Sequence, residues 1–177
     1  MRTPLLAVAL AALALPGAAF AQEEGSMDHA ACPATAAPLP PELASFAARV
    51  PLAAAKAADK LGKATLTVGQ AADGTLVATP EVKYPLRPAK PGGSVSYGGL
   101  FGFTVTEAGT YRVALGSGAW IDVVKDGVAI ESSAHGHGPD CSEVRKMVDF
   151  PLEPGSYTLQ VAANGQPSLP LLVTRVP

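Results

Sequence analysis

From Lys63 onward the chain is a succession of short runs rich in β-branched and aromatic residues, separated by Gly, Pro, Asp and Asn. This spacing is typical of antiparallel all-β domains, because each run is long enough for one strand and each break suits a turn. We therefore predict an all-β fold, an antiparallel β-sandwich of jelly-roll or Greek-key type, over residues 63–177. Strands are expected near 64–68, 75–79, 94–98, 100–106, 110–115, 119–125, 128–132, 144–150, 156–163 and 169–175.

Two local motifs favour the same fold. Asp126-Gly127 lies between two apolar runs and predicts a tight hairpin, since both residues tolerate positive φ. The segments 107–111 and 153–157 each read as an acidic residue, any residue, Gly, a hydroxyl residue and Tyr. A Tyr in that position is typical of a tyrosine corner, in which its hydroxyl bonds back to the preceding connection. We therefore expect Tyr111 and Tyr157 to be structural.

The beginning of the chain predicts export. Arg2, the apolar run from Leu5 to Leu15 and the small residues up to Ala21 are typical of a secretory signal peptide over 1–21, cleaved near Ala21. The run is shorter than the roughly 18 to 20 apolar residues needed to span a bilayer, and no later segment comes closer. We expect a periplasmic or secreted protein without a transmembrane segment.

Two further segments precede the predicted sandwich. Residues 22–41 are rich in Ala, Pro and small polar residues, which predicts a flexible N-terminal arm. Over 42–62 a short helical segment is predicted, because Leu43, Phe46 and Val50 recur at the spacing of one helix face until Pro51. Basic residues are not clustered anywhere, so a nucleic-acid partner is not expected.

Two resemblances cover the β-rich region. The acid-x-Gly-Thr-Tyr strand starts resemble those of secreted β-sandwiches of the pre-peptidase C-terminal type, over about residues 94–175, which implies a binding or accessory role. The segments Ala-Trp-Ile-Asp-Val-Val (119–124), His-Gly-His-Gly-Pro-Asp-Cys (135–141) and Arg-Lys-Met-Val-Asp-Phe (145–150) resemble short exported bacterial proteins that often carry the name homogentisate 1,2-dioxygenase. This second resemblance implies ring cleavage with non-haem iron, although the chain lacks the length and spaced His/Glu ligands of the authentic cupin dioxygenases.

All the histidines and cysteines fall in two clusters, one at His29 and Cys32 and one over 135–141. An even cysteine count in an exported protein favours pairing, so we predict a disulfide between Cys32 and Cys141. Free or metal-bound thiols are the alternative. The disulfide would bring His29 beside His135 and His137.

This arrangement could bind a transition metal. His135 and His137 are two residues apart and would leave an extended segment on the same face, so with His29 they could coordinate copper or zinc while Asp140 orients or completes the site. A carboxylate from Asp28, Asp140 or Glu143 with two imidazoles would instead suit iron(II), and the Met147 thioether would favour copper(I). The alternative is a solvated connection that uses Gly136 and Gly138 for backbone freedom.

The function that we expect is a periplasmic accessory protein, without enzymatic activity, that binds a metal or a small ligand at this histidine cluster. One alternative is an iron-dependent oxygenase, whose aromatic pocket would be walled by Trp120, Tyr97 and Phe103. Without such a pocket, Trp120 is expected to anchor the core. The other alternative is a structural module that docks to an envelope protein partner.

Asp122, in an apolar strand, is expected to face solvent, or else to be buried with Arg145 or a loop amide as its partner.

Overall fold

Alternating apolar residues along the chain pair into two β-sheets that pack face to face, and the predicted all-β sandwich is confirmed. The computed structural model describes Cys32 and residues 38–177. The predicted signal peptide (1–21), most of the predicted arm (22–41) and the site residues Asp28 and His29 lie outside the described residues. Within the described part of the chain, no helix is both long and apolar enough to cross a membrane.

Within the described residues, eleven strands build the two sheets. In chain order they are β1 Val50–Ala53, β2 Ala72–Thr75, β3 Val77–Ala78, β4 Tyr97–Val105, β5 Gly109–Leu115, β6 Trp120–Lys125, β7 Val128–Ala129, β8 Ala134–Gly136, β9 Lys146–Leu152, β10 Gly155–Asn164 and β11 Ser168–Arg175. The first sheet has the order β1-β2-β11-β5-β9-β8, and the second has the order β3-β4-β10-β6-β7. The β1–β2 pair is parallel, and the other pairs between these strands are antiparallel.

The main core lies between the inner faces of the sheets. Every second side chain of the central strands points inward, so the period-2 apolar pattern of the sequence becomes one continuous buried layer. Fully buried members of this layer include Phe101 and Phe103 of β4, Leu159 of β10 and Leu171 of β11. Burying side chains of this size stabilises the fold by about 1.5–3 kcal/mol each.

A smaller core covers the outer face of the first sheet. The 3-10 helix Pro41–Ala47 packs Leu43 and Phe46 against Ala114 of β5 and Leu172 of β11. These two strand residues alternate with the inward-facing ones, which explains why the first sheet is apolar on both faces there.

The segment predicted as helical over 42–62 has a different structure. It consists of the 3-10 helices Pro41–Ala47 and Ala58–Lys63 with strand β1 between them, so the sandwich begins before residue 63. Pro51 was interpreted as the end of a helix, but it lies in β1 at the edge of the first sheet, where a residue without an N–H is tolerated.

Three of the strand predictions also need correction. Residues 64–68 form no strand, and only Thr65 makes an isolated bridge, to Gly102. The strands expected at 94–98 and 100–106 form the single strand β4, because Gly98 and Gly99 continue the ladder instead of breaking it. A third 3-10 helix, Thr79–Glu81, follows β3.

The predicted corners and hairpin are confirmed. The Tyr111 hydroxyl donates to the Glu107 carbonyl oxygen at 2.9 Å, and the Tyr157 hydroxyl donates to the Glu153 carbonyl oxygen at 2.7 Å. Asp126 and Gly127, with φ of 50° and 79°, make the tight turn between β6 and β7. Each corner therefore fixes the entrance of a strand by one buried hydrogen bond.

Replacing either corner tyrosine with phenylalanine should lower the free energy of unfolding by about 1 kcal/mol, because the ring stays buried while a carbonyl oxygen loses its donor. Denaturant unfolding of Tyr111→Phe and Tyr157→Phe measures this. Tyr97→Phe is the matched control, since the Tyr97 hydroxyl makes no hydrogen bond to the described residues. Equal losses in all three variants would contradict a specific role for the corners.

Candidate functional site

The cysteines form the predicted disulfide. Cys32 and Cys141 are bonded, with their Cα atoms 5.4 Å apart, and they join positions separated by 109 residues. The alternative of free or metal-bound thiols is therefore wrong, because both sulfur atoms are consumed in the bond. Cys141 has φ of 58°, so it turns the chain sharply between His137 and β9.

A second link holds the turn at Cys141 to the first part of the described chain. The Arg49 guanidinium donates to the Glu143 carboxylate at 2.7 Å, to the Asp73 carboxylate at 2.8 Å and to the Phe46 carbonyl oxygen at 2.8 Å. The hydrogen bond to Glu143 is the main reason why the pKa of Arg49 lies above its ordinary value. Glu143 is thus engaged in an ion pair, although it was one of the carboxylates considered for iron.

Of the two histidines in the second cluster, His135 lies in an edge strand, whereas His137 lies in the connection that follows that strand. His135 belongs to β8, the edge strand of the first sheet, and lies opposite Val148 of β9. Both His135 and His137 are exposed. The His137 Nδ1 atom lies 3.2 Å from the Arg145 carbonyl oxygen, and Nε2 takes no part in this contact.

The predicted metal set is only partly brought together. Asp140 is exposed and makes no hydrogen bond or ion pair to Cys32 or to residues 38–177. Within those same residues, no three His, Cys, Asp or Glu side chains converge as a metal site. His29 lies outside the described residues, so the three-imidazole site stays a prediction.

The structure contains a cleft of about 440 Å³ between the sheets, at the side where β6 and β9 face each other; we call it the inter-sheet cleft. Its apolar floor consists of Ile121, Ile130, Val148 and Phe150. Its polar rim consists of Lys90, Trp120, Asp122, His135 and Lys146. Residues of the two sheets, of the connection before β4 and of the connection between β7 and β8 therefore line one cleft.

The cleft exists because β7 is too short to cover β6. On one side β6 pairs with β10 over Trp120 to Val124, whereas on the other side β7 pairs only with Val124 and Lys125. Among the strands of the described part, none lies beside the first half of β6 on that second side. The opening between the sheets follows from this unpaired edge.

A hydrogen-bonded network fixes Asp122. Its carboxylate accepts from the Trp120 indole Nε1 at 3.1 Å and from the Gln160 amide at 3.2 Å. Gln160 is 1% exposed and also accepts from the Leu86 backbone N–H at 3.0 Å. Both expectations for Asp122 need correction: it is half-buried, and its partners are Trp120 and Gln160, because β10 places Gln160 directly opposite it.

Two lysines lie against the same indole. The Nζ atoms of Lys90 and Lys146 lie 5.6 and 5.7 Å from the centroid of the Trp120 ring, within range of cation–π attraction. Lys146 Nζ also donates to the Ala119 carbonyl oxygen at 2.8 Å. Burial, followed by repulsion from Lys90, lowers the pKa of Lys146, and the Asp122 carboxylate partly opposes this shift.

Sequence reasoning missed both lysines, yet one of them left a signal. Lys146 shares its face of β9 with Val148, Phe150 and Leu152, which all point into the core. A lysine among inward-facing apolar residues of a strand is unusual. It indicates a cavity or a buried binding partner for the ammonium group. Lys90 carries no such signal, because it lies in the irregular connection between β3 and β4.

The predicted pocket walls are separated in the structure. Trp120 lines the inter-sheet cleft together with His135 and is half-buried, so it is not a core anchor. Phe103 is buried in the core and stacks on the Tyr157 ring, with centroids 5.4 Å apart. Tyr97 starts β4 opposite Ala78 and does not line the cleft. The separation arises because Trp120 begins β6, whereas Phe103 and Tyr97 belong to β4, with β10 between them.

The depressed pKa of Lys146 predicts a pH dependence of stability. The unfolded chain binds more protons than the folded one between the lowered pKa and the ordinary value of 10.5, so stability should rise with pH across that window. Lys146→Met removes the ammonium group. The variant should therefore be more stable than the natural chain, and this gain in unfolding free energy should be largest at pH 7 and shrink towards pH 10.5. Denaturant unfolding at both pH values measures the difference; a constant difference would contradict the shift.

Comparison with protein-family models finds no match for this chain, and comparison with curated proteins finds no significant similarity. The two resemblances read from the sequence stay predictions. What supports a function is the geometry of the inter-sheet cleft and of the histidines at its edge.

Proposed function

We propose that this protein is a non-enzymatic accessory protein that binds a small ligand in the inter-sheet cleft. The observation that carries the proposal is the pair of ammonium groups on one indole, above an apolar floor, in a cleft of about 440 Å³. Small-molecule sites typically have volumes of about 300–1,000 Å³, with apolar walls and a few polar groups that fix orientation.

The cleft is held by rigid elements. β6 is hydrogen-bonded to β10, and β9 is hydrogen-bonded to β5 along seven residue pairs. A site on paired strands loses little conformational entropy when a ligand enters, because its walls are already ordered. Lys90, Ile130 and Ser132 are the exceptions, since they come from connections between strands.

Asp122 gives the cleft a fixed wall. Its two carboxylate oxygens accept from the Trp120 indole and from the Gln160 amide. The carboxylate therefore holds the indole in position for a ligand.

The Cys32–Cys141 disulfide supports the periplasmic or secreted location, because disulfides persist mainly in oxidising compartments. It also closes most of the described chain into one loop, which favours survival outside the cell.

Trp120 is the only tryptophan of the chain, so intrinsic fluorescence reports on the cleft directly. Titration with a panel of small aromatic acids, alcohols and amines should give saturable changes in its emission. Ser132→Phe, at the cleft wall, should weaken every such response by at least about tenfold through steric filling. Ser168→Phe is the matched control, since Ser168 is exposed on β11 away from the cleft. Unchanged affinity in Ser132→Phe would contradict binding in the cleft.

We infer metal binding as a second candidate function, with copper or zinc as the ion. His135 and His137 lie two residues apart, and the Nδ1 contact of His137 leaves its Nε2 available for a metal. The Met147 thioether, which was expected to favour copper(I), lies on the opposite face of the sheet from the His135 side chain, because His135 pairs with Val148. Iron at the same histidines would instead support the oxygenase alternative.

Metal content by mass spectrometry tests this second function. The natural chain, purified without a tag and reloaded with copper(I) or zinc, should hold close to one ion, and His135→Ala/His137→Ala should hold none. Met147→Leu is the matched control and should leave the retention of copper(I) and zinc unchanged, because Met147 and the His135 side chain lie on opposite faces of the sheet. His29→Ala tests the predicted third imidazole. A natural chain that retains no ion after reloading would contradict the site.

A further inference from the structure

We propose that the inter-sheet cleft selects a small organic acid, bound as its anion, with the negative charge between Lys90 and Lys146 and the carbon skeleton on the apolar floor. This inference rests on the proposed ligand-binding function and specifies the ligand's chemistry. It follows from the charge balance of the lining, from the free donors of Lys146 and from the shape of the floor.

The lining carries more positive than negative charge. Lys90 and Lys146 both lie within 5.7 Å of the Trp120 ring centroid, so their ammonium groups are at most about 11 Å apart. Neither forms an ion pair with the described residues. The one carboxylate in the lining, Asp122, already accepts from two donors. Two like charges are thus held close together with incomplete compensation.

An anion between the lysines would relieve their repulsion. Lys146 is half-buried, so its attraction to an anion is screened by water less than that of a surface lysine. An ammonium group has three N–H donors, and the Ala119 carbonyl oxygen takes one of those of Lys146. Two donors remain for a carboxylate.

The floor defines the rest of the ligand. Ile130, Val148 and Phe150 present apolar surface below the lysines. A carboxylate with an aromatic ring or a short branched chain would bury that surface and place its charge at the rim. A protonated amine of the same shape would instead be repelled by the two ammonium groups.

The test uses three molecules with one skeleton and different charges: phenylacetate, 2-phenylethanol and phenethylamine. Their dissociation constants are measured on the full mature chain by Trp120 fluorescence and by calorimetry. Phenylacetate should bind about tenfold more tightly than 2-phenylethanol, phenethylamine should bind most weakly, and the preference should shrink as salt is raised.

Substitutions then locate the selectivity. Lys90→Gln and Lys146→Gln should each weaken the affinity for phenylacetate by about fivefold and leave the affinity for 2-phenylethanol unchanged. Only the charged probe interacts with the lysine ammonium groups. Glutamine keeps a donor for the Ala119 carbonyl oxygen, and unfolding curves verify that each variant is folded. Lys63→Gln, on the exposed 3-10 helix Ala58–Lys63, is the matched control and should change the affinity for neither probe.

The outcomes separate the two proposals. Equal affinity for the three probes, or tighter binding of the amine, would overturn the selection of an acid while the ligand-binding function stands. Loss of phenylacetate selectivity in Lys63→Gln would also overturn it, because the charge would then act from outside the cleft. No fluorescence change and no heat with any probe would overturn the ligand-binding function and the inference together.

Discussion

Burial of two facing apolar layers is the interaction on which the rest of the structure depends. The inner side chains of β4, β5, β10 and β11 are almost completely removed from water, and they fix the register of every central strand. In β10, a slip of one residue would turn Tyr157, Leu159 and Val161 outward and a polar set inward, which no side-chain adjustment can offset. The central strands therefore leave no freedom for a site, and chemistry is confined to the edges.

The inter-sheet cleft is the result of that confinement. β7 covers only the end of β6, so Trp120 and Asp122 are half-buried where a longer strand would have sealed the sandwich. Placing Lys146 on the inner face of β9 costs desolvation, which the Ala119 carbonyl oxygen and the Trp120 ring offset only in part. A fold optimised only for stability would have an apolar residue at this position.

The sequence could predict what local chemistry determines. The β-sandwich, both tyrosine corners and the Asp126-Gly127 turn are specified by nearby residues, and the disulfide follows from the cysteine count and the expected export. β1 was missed because Pro51 is read as a breaker unless its place at a sheet edge is known. The cleft was missed because Lys90, Trp120 and Lys146 are far apart in sequence and meet only through the packing of the two sheets.

His135 connects the two candidate functions, because it is a candidate metal ligand and also lines the inter-sheet cleft. A metal ion there would add positive charge to a region that already holds Lys90 and Lys146, so in the empty cleft the lysines weaken metal binding. A bound organic anion would cancel that repulsion. By thermodynamic linkage the metal would strengthen anion binding by the same factor, so the two ligands, if both bind, must bind cooperatively. If the cleft binds an organic anion as proposed, its excess of positive charge would therefore make metal binding at His135 depend on that anion.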